Sequence, residues 1–261
     1  MELPPWIEKN RVSDAAIASA YENTPAAFRS AIKTGIAISH FQYGAADSLA
    51  GRLRSSSQLG LATRAEARPA DWTLLFIGDE LEAAARICAL AILPRLAGVP
   101  NVQAVLVART TRPALVTLEL CGIEDIFATD LQKCARLLRY VEQLAIPHGR
   151  ICFLHEGSLA ELAHLPLQFA ESLNLERRPR LFLAQPYAFN AACLEFCHGA
   201  DIKSGMAEKK PWDAVFTNSR QDEKQFASRL YLAPGCEGFW SFPNVTPEFF
   251  LEKSLSVALS A

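Results

Sequence analysis

The 261-residue sequence predicts an α/β fold, a Rossmann-like parallel sheet preceded by N-terminal helices and followed by a second, smaller α/β part. Three observations carry that expectation. From Asp71 onward, apolar runs of strand length repeatedly precede amphipathic segments of helix length. The strand starts recur about every 25 residues, the length of a strand, a helix and two tight loops. The runs Leu74-Leu75-Phe76-Ile77 and Val105-Leu106-Val107 are continuously apolar, as strands covered by helices on both faces are.

Residues 1–70 read as an N-terminal helical region and linker. Ser13-Asp14 caps a helix through Tyr21, and Thr24-Pro25 opens another, with Phe28, Ile32, Ile36 and Ile38 on a roughly helical period. Residues 13–58 lack strand character, and the polar stretch 52–71, with Ser55, Ser56, Ser57, Arg64, Glu66, Arg68 and Pro69, suggests a linker or mobile segment. Residues 71–155 read as the Rossmann-like domain. Its strands are expected at 73–78, 102–108, 125–128 and 150–154, with helices at 81–96, 112–121 and 131–144 between them. Right-handed parallel crossovers follow from that alternation. Residues 156–261 read as a smaller α/β domain: a helix over 158–173 kinked at Pro166, a strand over 181–184, a helix over 188–197, a loop over 203–211, a strand over 213–217, and a helix opened by Asn218 or Asp222 and running to Leu230. The tail carries Phe239, Trp240, Phe242, Phe249 and Phe250, a density of aromatics suited to docking on the body or on a second subunit.

Composition narrows the function classes. With 26 Lys plus Arg against 28 Asp plus Glu, no long-range positive field exists to gather phosphate backbones, so nucleic acid is not the expected partner. Arg86 and Arg95 break the most hydrophobic stretch, 81–99, below the ~20 uninterrupted residues a bilayer needs, so no membrane span is expected. Residues 1–10, with Glu2, Pro4, Pro5 and Glu8, contain no apolar signal region. Seven cysteines without a C-x-x-C pair point to reduced thiols and a cytoplasmic location.

Doubly wound sheets bind ligands at the carboxyl ends of their strands. The first strand ends Ile77-Gly78-Asp79-Glu80, with one glycine where a phosphate-cradling turn wants two or three, and Asp79 and Glu80 compete with a phosphate for helix amides. The second leads into Arg109-Thr110-Thr111-Arg112. Arg109 and Arg112 stand where a dinucleotide fold reads the adenosine ribose, making them candidate NAD(P)-binding residues, with solvated loop arginines as the plainer reading. Glu195 and His198 share a face on a helix and are candidate zinc ligands, which Cys197 or Asp201 and one of His40, His148, His155 or His164 would complete. An ordinary helix end, with His198 at the C-terminal dipole and Gly199 after it, explains the same residues. His155-Glu156 offers an acid/base pair or a polar pair opening the next helix, and Cys236 lies in a turn with no histidine near it in sequence. No catalytic residue is nominated.

The segment 86–138 resembles part of the histidinol dehydrogenase family, within the aldehyde-dehydrogenase-like superfold. The residues that carry it are Ala91-Ile92-Leu93-Pro94-Arg95-Leu96-Ala97-Gly98-Val99, the run 102–107, and Leu120-Cys121-Gly122-Ile123-Glu124-Asp125-Ile126-Phe127. The resemblance implies that fold, a homodimer, and a small-molecule ligand. In an active member it implies two-step NAD-dependent oxidation of an amino alcohol to an amino acid, with zinc holding the substrate and a Glu-His pair moving protons. The nearest match to the family's zinc motif is Glu195-Phe196-Cys197-His198-Gly199. The string nearest the family's Glu-His motif, Tyr231-Leu232-Ala233-Pro234-Gly235-Cys236, lacks the pair, and the family's glycine-rich loops are replaced by Gly78-Asp79-Glu80 and Ala128-Thr129-Asp130. Two expectations follow: an NAD(P)-linked oxidoreductase or small-metabolite binder descended from one, or a noncatalytic sensor or protein-interaction module on the same scaffold.

Overall fold

A computed structural model describes residues 3–44, 54–58, 61–144, 146–199, 201–205 and 211–259. Helices Pro5–Glu8, Asp14–Glu22 and Ala26–Tyr43 come first, and Ser13 caps the second through Ala16 N–H. An antiparallel hairpin of β1 (Arg54–Gln58) and β2 (Leu61–Pro69) follows. The stretch expected as a linker is therefore largely strand. Period-two alternation of Thr63, Ala65 and Ala67 with Arg64, Glu66 and Arg68 hid there among turn-forming residues.

Next come β3 (Trp72–Ile77), β4 (Asn101–Val107), β5 (Asp125–Thr129), β6 (Gly149–Leu154) and β7 (Ala170–Leu175). They form one parallel sheet in the order β5-β4-β3-β6-β7. Alternate residues serve opposite cores. Leu75 and Ile77 pack with helices Ala84–Leu96 and Arg112–Leu120, while Leu74 and Phe76 pack with Leu137, Leu138 and Val141 of helix Leu131–Leu144. The Ala84–Leu96 helix is buried nearly all round because helices Ala26–Tyr43 and Ala191–His198 cover its outer side.

β7 is a correction: the helix expected over 158–173 is only Ala160–Ala163. Pro166 stops the helix, and Ala170–Leu175 extends the sheet by pairing with β6. A second parallel sheet of β8 (Leu181–Leu183), β9 (Ile202–Ser204), β10 (Trp212–Phe216) and β11 (Ser228–Leu232) has the order β11-β10-β8-β9. The expected 203–211 loop thus begins as strand, and its residues 206–210 lie outside the described residues. The helix expected to run to Leu230 covers only Arg220–Gln225, capped by Ser219, before β11 begins. The Ser228-Arg229-Leu230-Tyr231-Leu232 run alternates, and burial of Leu232 against the core decides for strand.

The aromatic tail docks on its own chain: Phe239, Trp240 and Phe250 are buried. Close backbone approach makes this possible, since a Cβ on Gly35 would lie 2.1 Å from Gly238 O and one on Gly238 would lie 1.9 Å from Ala31 O. β12 (Leu251–Leu259) then pairs antiparallel with β2 along its length. Arg150, 3% exposed, fastens this return to the main sheet: Nε donates to Phe249 O at 2.6 Å, Nη2 to Leu251 O at 3.0 Å and Nη1 to Glu252 Oε1 at 2.6 Å. Among the described residues no helix is long and apolar enough to cross a membrane. Arg150→Met strands two tail carbonyls and Glu252, and is expected to cost about 2–4 kcal/mol in urea-unfolding experiments.

Candidate functional site

The chain leaves β3 outward to β4 and β5, then returns to β6 on the other side of β3. The carboxyl ends of β3 and β6 therefore frame the crevice where such sheets receive ligands. A side chain of this protein takes the amide donors there. Glu80 Oε1 accepts from Glu156 N–H at 2.5 Å and Ser158 N–H at 3.1 Å, and Oε2 accepts from the Ser158 hydroxyl. Gly78 makes room for this arrangement, since a Cβ there would lie 2.4 Å from Ser158 Oγ and 2.5 Å from Glu80 Oε2. Burial works to raise the Glu80 pKa, but the Ser158 hydroxyl and the Glu156 and Ser158 amides prevail and hold it at about 2. Sequence reading placed the Glu80 charge at a helix N-terminus. The amides it takes belong to the β6 loop.

Around this carboxylate runs a chain of ion pairs. Arg86, 2% exposed, donates Nη1 to Glu156 Oε1 at 2.6 Å and Nη2 to Arg177 O at 3.1 Å. Glu156 Oε2 accepts from Arg178 Nε at 2.5 Å, and Arg178 Nη1 pairs with Asp201. The chain crosses from the first sheet to the segment leading into β8 and on to the residue before β9. It borders a cleft of about 320 Å3 whose lining includes Glu80, Glu82, Glu156, Arg178 and Asp201.

Arg109 and Arg112 line an adjoining cleft of about 660 Å3 together with Glu82, Glu195 and Phe28. Arg109 donates to Asp79 O at 2.9 Å and to Glu82 at 2.7 Å, and Arg112 donates to Asn23 O at 3.2 Å. The structure thus gathers Arg109, Arg112 and Glu195 but separates them from His198.

His198 is 6% exposed, with Nε2 donating to Glu237 O at 2.6 Å and its ring against Phe216 and Trp240. Burial outweighs that hydrogen bond, and with Arg86 nearby the His198 pKa falls to about 4, so the imidazole stays neutral. Glu195 is exposed. Three residues apart on one helix, the two face different surroundings, and among the described residues no group of three or more His, Cys, Asp or Glu is placed to hold a metal. These residues do not fit zinc. The remaining candidates are engaged elsewhere or isolated. His155 is buried, with Nε2 donating to Asn174 Oδ1 at 2.8 Å and Nδ1 accepting from Gly157 N–H at 3.0 Å, so it opens the next helix and is no acid/base partner for Glu156. His148 lies 3.4 Å from Glu252, His40 and His164 are exposed, and burial raises the thiol pKa of Cys236.

Sequence reasoning missed Arg86, Arg178 and Ser158. A lone arginine inside the apolar run Ala83 to Leu93 was the available signal, because such a charge needs a buried partner.

The depressed Glu80 pKa stabilises the fold above the ordinary carboxylate value of 4.5, and that contribution is lost as pH falls from 4.5 toward about 2. Glu80→Gln is expected to be less stable than the parent at neutral pH, with the gap in urea midpoint closing as the buffer is taken to about pH 3.

No protein-family model matches the chain, and no curated protein matches it in sequence. Similarity does extend to solved structures. A histidinol dehydrogenase from Elizabethkingia anophelis superposes with a TM-score of 0.61 at 12% identity, covering 95% of this chain and 76% of that one. An aldehyde dehydrogenase from Brucella melitensis biovar abortus 2308 gives a TM-score of 0.46 at 10% identity, covering 96% of this chain and 90% of that one. The Rossmann-like sheet expected from the sequence is present, and the chain has the fold of histidinol dehydrogenase.

Proposed function

We propose that this protein is a binder of small metabolites on a dehydrogenase scaffold, and that no dinucleotide enters its switch-point crevice. The Glu80 carboxylate carries this reading. A pyrophosphate in that crevice needs free amide donors. Here the Glu156 and Ser158 amides already serve an internal anion, whose charge also repels a second one. The cleft beside it, about 320 Å3, is at the small end of the ~300–1,000 Å3 typical of ligand sites. Free thiols at all seven cysteines support a reducing, cytoplasmic compartment. Exposed Leu255 and Val257 on β12 support a homodimer more than the aromatic tail does, because the tail is occupied by its own chain.

A second reading, an NAD(P)-linked oxidoreductase, is favoured by the 660 Å3 cleft, where Arg109 and Arg112 would meet a nucleotide phosphate. Titration of the full chain with NAD+, NADH and NADP+, followed by calorimetry and thermal shift, separates the two. The expected result is no saturable heat and no rise in melting temperature. A dissociation constant below about 1 mM that weakens in Arg109→Ala would establish the oxidoreductase reading instead.

A further inference from the structure

A smaller cavity, about 180 Å3, is lined in part by the docked tail and shares Pro179 with the ion-paired cleft. One wall is the indole of Trp240, 5% exposed, whose Nε1–H is buried without an acceptor. An indole N–H sealed from water normally finds one. Over that ring, 5.3 Å from its centroid, lies the Arg229 guanidinium. It is held by neutral oxygens: Nη1 donates to Ser241 Oγ at 3.0 Å and Nη2 to Ser241 O at 2.6 Å. Burial pushes the Arg229 pKa down, the Asp213 and Tyr43 charges oppose that, and Arg177 reinforces it.

Arg177 reaches the same cavity. The carboxylate of Asp213 beside it is already shared between Arg177 Nη2 at 3.1 Å and Arg180 N–H at 2.8 Å, so Arg229 gains no direct ion pair from it. The rest of the lining includes Arg86, the Glu176 carboxylate and the apolar Phe242 and Pro179. Three arginines set against the Glu176 and Asp213 carboxylates, one positive charge in excess, and an apolar wall thus line a space too small for a nucleotide.

We infer that this cavity binds a small carboxylic acid with a short apolar body. The carboxylate lies between Arg177 and Arg229, and the hydrocarbon part packs on Phe242 and Pro179. This names a ligand class and a place for the metabolite-binding reading above, on which it rests.

The test is calorimetry of the full-length protein with 2-oxobutyrate and isovalerate as probes, against isovaleramide and inorganic phosphate. Saturable binding of the acids is expected, with isovaleramide and phosphate at least about tenfold weaker because one lacks the charge and the other the apolar body. Arg229→Gln is expected to weaken the acids about tenfold or more. Arg177→Gln is expected to weaken them several-fold with an unchanged circular dichroism spectrum. Absence of saturable binding by the parent protein, or equal affinity for phosphate or isovaleramide, overturns the assignment. So does unchanged affinity in both variants. Acid binding that survives Arg229→Gln but is lost in Arg178→Gln also overturns this cavity while upholding the metabolite-binding reading, since the ligand would then occupy the neighbouring cleft. Dinucleotide binding, by contrast, strikes at that reading itself.

Discussion

One carboxylate sets the character of this molecule. Where the strand order reverses, a doubly wound sheet leaves amide donors pointing into a crevice, and evolution usually offers them a phosphate. Here Glu80 reaches across from the β3 end and takes them, with the Ser158 hydroxyl as a further donor. Open clefts remain around this carboxylate. On one flank are Arg109 and Arg112, on the other the ion-paired cleft and the cavity beside Trp240.

Two buried arginines tie distant segments together. Arg86 projects from the apolar first turns of its helix and fixes Glu156, which in turn fixes Arg178. Arg150 projects from β6 and holds the backbone of the tail. Each is nearly inaccessible to water, so its charge is tolerable only while carboxylates and carbonyls surround it, and removal of one partner costs far more than a surface pair would. Through Arg86, segments distant in sequence meet at the wall of the ion-paired cleft.

The main sheet was readable because its strands are uniform apolar runs at a regular spacing, as in Leu74-Leu75-Phe76-Ile77. β7, β11 and the β1–β2 hairpin were not. In β7, β11 and residues 63–69 of β2 the alternating residues are half exposed, so the local pattern resembles a loop until a neighbouring strand supplies hydrogen bonds. Sequence spacing also identified Glu195 and His198 as near neighbours on one helix. It could not foretell that His198 would turn into the core against Phe216 and Trp240 while Glu195 faced solvent. The cavity lined by the tail was invisible for a related reason. Arg177, Arg229 and Trp240 come from segments that meet only when the tail folds back over the second sheet.

That fold-back has a consequence for biosynthesis. Pro69 of β2 faces Leu251 of β12 across roughly 180 residues of intervening chain. At ~5–20 residues per second, β2 must wait roughly 10–40 s on the ribosome before its outer partner is even made. Throughout that interval it is an open edge of the kind that recruits foreign strands. Arg64, Glu66 and Arg68, charged and exposed along the strand, suit it to the delay by discouraging premature partners until the chain's own tail arrives.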